Sequence, residues 1–155
     1  YKRQGDQWLP GGASNTGGNV LTHFFSDEEL IRHSSNINPK TQINLDYYPL
    51  LKAGERFPIN DPAFPPRLEP KPPDDQTFLH GLLLGMSKVE ALAYNRLKEL
   101  GGPDLKSLRT VGGGSKNSVW TALRQKQIPV PIQNVASDQA AAGAARLAWK
   151  GLLSI

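Results

Sequence analysis

The chain of 155 residues contains no cysteine. This excludes a disulfide framework and any thiolate metal site, and it suits a reducing compartment. No apolar run approaches the ~20 residues of a membrane-spanning helix, and the opening residues lack a secretory-signal pattern. The expectation is therefore a cytoplasmic protein with no membrane contact. Lys/Arg runs and basic segments interleaved with aromatics are missing too, so nothing points to a nucleic-acid groove. Histidine is scarce: His23, His33 and His80 stand at no metal-ligand spacing and read as structural or exposed. The chain opens on Tyr1 and its only methionine is Met86. The expectation is a fragment or a processed chain.

Charge is present but uneven. Residues 1–75 carry 8 basic and 10 acidic side chains, whereas residues 76–155 carry 10 and 4. A basic half attracts anions through its summed field, and ATP is one such anion. A chain of this length fits one domain.

Glycine and proline divide the chain. Trp8-Leu9-Pro10 reads as a strand end entering a Gly/Ser/Asn turn over 11–18, with helical periodicity from Asn19. Ser26-Asp27-Glu28-Glu29 is a capping box, so a second helix should start at Asp27. Prolines at 49, 58, 62, 65, 66, 70, 72 and 73 forbid long helices across 38–73. The aromatic and aliphatic side chains there (Tyr47, Tyr48, Leu50, Phe57, Phe64) argue for an ordered excursion rather than a disordered linker. The apolar positions from Phe78 to Leu97 recur at i, i+3, i+4 and predict a long helix over 75–100, capped by Asp74 or Asp75 and ended by Gly101-Gly102. A strand over 107–111, a helix over 117–127, a strand over 129–135 and an Ala-rich helix over 138–150 complete the reading. This alternation predicts a parallel sheet edge. Gly143 inside the last helix suggests close approach to a neighbour.

The most informative stretch is Val111-Gly-Gly-Gly-Ser-Lys-Asn-Ser-Val-Trp120. A glycine turn opening a helix offers backbone N–H groups and close approach to a phosphate or a nucleotide edge. It can equally be only a tight turn. Asn117 suits the N-cap. Trp120, three residues on, could be a stacking plate for a purine or a core residue beside Leu123.

These residues, with Pro129-Val-Pro-Ile132 and Gln139-Ala-Ala-Ala-Gly143-Ala-Ala-Arg-Leu-Ala148, resemble the C-terminal half of FGGY-type carbohydrate kinases. Gly11-Gly-Ala-Ser-Asn-Thr-Gly-Gly18, Asp46-Tyr-Tyr-Pro-Leu50 and Gly54-Glu-Arg-Phe-Pro-Ile59 are similar to the pentulose kinases of cyanobacteria and plastids, the ribulose or xylulose kinase group. The resemblance spans nearly all of the chain. It implies an α/β fold of the RNase H-like/actin-like ATPase type, a mixed sheet flanked by helices that lacks its first one or two strands. The open sheet edge this would leave could drive homodimerisation. It implies ATP and Mg²⁺ as cofactors and a ketopentose held mainly by a missing N-terminal domain. That domain would carry the catalytic base, so no catalytic residue and no metal ligand is assigned here, and the chain alone is expected to be inactive. For a photosynthetic eukaryote the compartment would be the plastid stroma.

By resemblance, Gly113 and Gly114 pack beside the adenosine, Asn117 bonds the nucleotide, and Trp120 lines the adenine pocket. Gly17 and Gly18 form the turn near the phosphates, with Thr22 one helical turn on. Glu55 and Arg56 are expected to form a buried structural ion pair. Gln139 departs from a common Glu. The competing reading is a catalytically silent relative of the sugar kinase/actin superfamily that binds nucleotide or protein.

Overall fold

The computed structural model describes residues 10–137 and 140–152. Its elements in chain order are α1 (Gly18–Phe24), α2 (Asp27–Asn36), α3 (Asp75–Glu99), a 3-10 turn (Gly113–Lys116), α4 (Ser118–Gln127) and α5 (Ala140–Leu152).

Helix α3 is the organising element. Between Phe78 and Val89 it buries side chains on nearly every face, as expected of a helix enclosed by its neighbours. Leu79, Leu82 and Leu83 have no exposed surface. They meet Val20, Leu21 and Phe25 around α1, Ile37 after α2, Tyr47 of the excursion, and Val119 and Leu123 of α4. Each such side chain contributes roughly 1.5–3 kcal/mol of burial.

The helix ends follow their local chemistry. Ser26 accepts from the Glu29 N–H while the Glu29 carboxylate accepts from the Ser26 N–H, so the capping box at α2 is complete. Asp74 caps α3 by accepting from the Thr77 N–H at 2.8 Å. At its far end the Gly102 N–H bonds the Leu97 carbonyl and the Gly101 N–H bonds the Lys98 carbonyl. Gly101 stands at φ +90°. This is the Schellman arrangement, and the left-handed position takes glycine without steric cost.

The RNase H-like mixed sheet is not there. Among the described residues there is no strand and no sheet, only three single β-bridges: Tyr48 with Arg67 and Glu55 with Asp61, both antiparallel, and Leu108 with Ile132, parallel. The two segments expected as strands, 107–111 and 129–135, flank α4 and touch through two bonds. The Leu108 N–H donates to the Pro131 carbonyl and the Gln133 N–H to the Leu108 carbonyl. Pro129 and Pro131 have no N–H, so the ladder cannot grow toward them. The Trp8-Leu9 strand end lies outside the described residues. The open sheet edge expected to drive dimerisation is likewise absent among the described residues.

Residues 38–73 contain no helix, in keeping with their prolines, yet they bury Tyr47, Tyr48 and Leu50. Close packing against α3 requires two glycines there. A Cβ on Gly81 would lie 2.7 Å from the Tyr47 ring, and one on Gly85 would lie 2.7 Å from the Tyr47 carbonyl oxygen.

Helix α5 differs from the expectation in two ways. It runs to Leu152, and Gly143 approaches nothing among the described residues, since a Cβ there would meet none of their atoms within 4 Å. Leu147 and Trp149 are two-thirds exposed. Gln139 lies outside the described residues.

His80 is buried on α3, and its Nε2 has no hydrogen-bond partner among the described residues. Burial, with a smaller contribution from the Lys126 charge, holds its pKa below the ordinary 6.5. The folded state thus favours the neutral ring, while the unfolded chain takes up a proton below about pH 6.5. The stability contributed by His80 is complete above that pH and is lost as the pH falls through the depressed value. Urea midpoints measured from pH 7.5 to 5.5 should fall, and His80→Leu should flatten that fall.

Candidate functional site

The helices and both glycine turns border one large, half-open cavity of about 1280 Å³, above the ~300–1,000 Å³ of common small-molecule sites. All seven residues singled out in the sequence line it: Gly17, Gly18 and Thr22 from one end of the chain, Gly113, Gly114, Asn117 and Trp120 from the other. Nearly a hundred residues separate the two sets. The apolar wall comes from α3 through Met86, Val89, Ala93 and Leu97, which follow helical spacing on one face.

The first glycine turn is tied to the excursion. The Ser14 hydroxyl and the Asn15 N–H donate to Glu55 at 2.6 and 2.8 Å. The Thr16 hydroxyl donates to the Pro49 carbonyl at 2.6 Å. Gly17 then turns at φ +152° into α1, a conformation that side chains resist. Thr22 donates to the Asn19 carbonyl within α1. Gly12 lies against the Phe57 ring so closely that a Cβ there would overlap it.

Glu55 is the centre of this attachment. It is 2% exposed and also accepts from the Tyr48 hydroxyl and the Arg56 N–H, both at 2.8 Å. The expected ion pair with Arg56 is not the arrangement found. The guanidinium instead donates to Asn15 Oδ1 and to the Ser14 carbonyl. A carboxylate met by four uncharged donors can be buried without a counter-charge. Burial first, and then the hydrogen bond to Glu55, push the Tyr48 phenol well above its ordinary value.

The second glycine turn is set by Gly112 at φ +79°. The Ser115 N–H and hydroxyl both donate to the Gly112 carbonyl. Gly114 is required by packing, because a Cβ there would lie 2.8 Å from the Trp120 ring. The Asn117 side chain accepts from the Trp120 N–H at 2.9 Å and so caps α4. Its Nδ2 donates to the Ser34 hydroxyl of α2 at 2.9 Å. The carboxamide thus keeps one N–H and one lone pair for a ligand. Trp120 packs against the main core, as the core reading has it, and it also lines the cavity. Its indole N–H is buried and has no partner among the described residues.

Glu90, Thr110 and Arg124 also line the cavity, and the sequence reading did not select them. Glu90 carried a signal: it is a charged residue in the Met86, Val89, Ala93, Leu97 stripe, where an unpaired carboxylate would be costly.

Two glycine turns allow close approach, a half-buried indole supplies a ring, and the exposed Lys116 supplies a cation at the second turn. No group of three or more His, Asp or Glu that could hold a metal ion occurs among the described residues. No helix among them is long and apolar enough to cross a membrane. No family model matches the chain.

Proposed function

We propose that the cavity is a nucleotide site and that the chain is the ATP-binding part of a carbohydrate kinase of FGGY type, acting on a ketopentose in the cytoplasm or plastid stroma. One observation carries the reading. Two glycine turns, distant in sequence and singled out by the same resemblance, meet with Asn117 and Trp120 on a single cavity.

In this reading Trp120 holds the adenine, and a base–aromatic stack contributes roughly 1–3 kcal/mol. Gly113 admits the adenosine without a Cβ in the way, while Gly114 gives the Trp120 ring its seat beside it. Asn117 offers its spare Nδ2–H, and Lys116 faces the phosphates. Gly17, Gly18 and Thr22 form the opposite wall. Glu90 is committed to Arg124 and no metal ligand set stands ready among the described residues, so Mg²⁺ would be held through the phosphates. Phosphoryl transfer needs nucleophile, metal and γ-phosphate held together. This chain supplies the nucleotide wall, and a further domain supplies the sugar and the base.

Asn117→Asp tests the reading while sparing the helix, because Asp caps as well as Asn. The exchange removes the donor to Ser34 and sets a negative charge beside the phosphates. ATP affinity measured by displacement of a fluorescent analogue should fall by about tenfold or more, the equivalent of ~1.4 kcal/mol. Unchanged affinity would remove Asn117 from the site.

A further inference from the structure

The most firmly held charged group in the cavity wall is Arg124 of α4, which is 7% exposed. Its Nε and Nη2 donate to the two carboxylate oxygens of Glu90 on α3 at 2.5 and 2.6 Å. Its Nη1 donates to the Thr110 hydroxyl. The guanidinium fork is planar and rigid, so a bidentate pair on one side fixes the direction of the donor on the other.

Thr110 precedes the glycine turn by one residue. Leu108 is tied to the 129–135 segment, and the turn closes on itself at Gly112. Among the described residues, the Arg124–Thr110 bond is the one hydrogen bond that holds residues 109–111 between these points. Val111 adds no apolar anchor, being mostly exposed.

We propose that Arg124 is a positioning residue for the 112–117 turn. Glu90 fixes the guanidinium to α3, the guanidinium fixes Thr110, and Thr110 sets how the turn seats on the Trp120 ring. The consequence for ligand affinity rests on the nucleotide reading above; the seating itself does not.

The test uses the chain with Trp8→Phe and Trp149→Phe, so that Trp120 is the only indole. Thr110→Val removes the acceptor at nearly constant shape, Thr110→Ser restores it, and Arg124→Lys keeps the charge without the fork. Acrylamide quenching of Trp120 reads the seating, and MgATP titration reads the consequence. Thr110→Val and Arg124→Lys should expose the indole to quencher and weaken ATP about tenfold, with Thr110→Ser close to the parent on both. Quenching unchanged in Thr110→Val, or raised equally in Thr110→Ser, overturns the positioning role whatever happens to ATP. If the quenching pattern appears but the parent does not bind ATP, the positioning role stands and the nucleotide reading fails.

Discussion

Glu55→Ala is expected to cost about 3–5 kcal/mol of folding stability, because it strands several donors at once. The carboxylate is almost fully buried and accepts from Ser14, Asn15, Tyr48 and Arg56. Without it the buried Tyr48 hydroxyl loses its acceptor, and each unsatisfied buried group costs about 1–3 kcal/mol. Glu55→Gln should be almost as damaging. A carboxamide turns an NH₂ group toward donors that need an acceptor. Urea unfolding of wild type and both variants measures this. A Glu55→Gln midpoint equal to wild type would mean that the four donors do not depend on the carboxylate. The effect should also reach the cavity, because Ser14, Asn15 and Thr16 lead directly into Gly17.

Gly85→Ala is the second large effect, and here two terms oppose. Helix propensity favours alanine by about 1 kcal/mol. The new Cβ would lie 2.7 Å from the Tyr47 carbonyl oxygen and 3.2 Å from Pro49. The first of these is backbone and cannot rotate away. Overpacking of this kind costs about 1–3 kcal/mol and occasionally more. The excursion is already held by the Tyr48–Arg67 bridge and by the Tyr47 hydroxyl on the Pro70 carbonyl, so the clash should win by up to about 2 kcal/mol net. Gly143→Ala is the matched control. Its Cβ would meet nothing among the described residues, so propensity dominates and α5 should gain up to about 1 kcal/mol. Thermal unfolding should therefore move in opposite directions for the two exchanges. A stabilised Gly85→Ala would show that α3 does not press on the excursion as described.

The helices were legible because their signals are local. The capping box at Ser26, the i, i+3, i+4 pattern from Phe78, Asn117 at the N-cap and the glycine pair after Leu100 each act within a turn or two. The sheet was misread because strand pairing is not local. Residues 107–111 and 129–135 have extended, partly apolar character, but a strand exists only with a ladder, and two prolines cut this one short. Gly143 was misread for a similar reason: a glycine inside a helix signals a close neighbour only when a neighbour is there. The site was partly legible, since glycine turns and caps mark backbone geometry directly. Its charged members were hidden because Glu90 and Arg124 become partners only when α3 and α4 cross. Glu55 was recognised as buried but given the wrong partner. Sequence adjacency suggested Arg56, whereas burial selected hydroxyl and amide donors.

The central claim is that the cavity between the two glycine turns binds nucleotide, with the adenine on Trp120. Calorimetric titration of the chain with MgATP, wild type against Trp120→Ala, tests it most directly, with circular dichroism to show that the variant remains folded. The expected result is weak, saturable binding in the high-micromolar to millimolar range, and a loss of about 5- to 150-fold in the variant, the equivalent of a ~1–3 kcal/mol stack. Binding of equal strength in both proteins, or none in wild type at millimolar MgATP, would contradict the account.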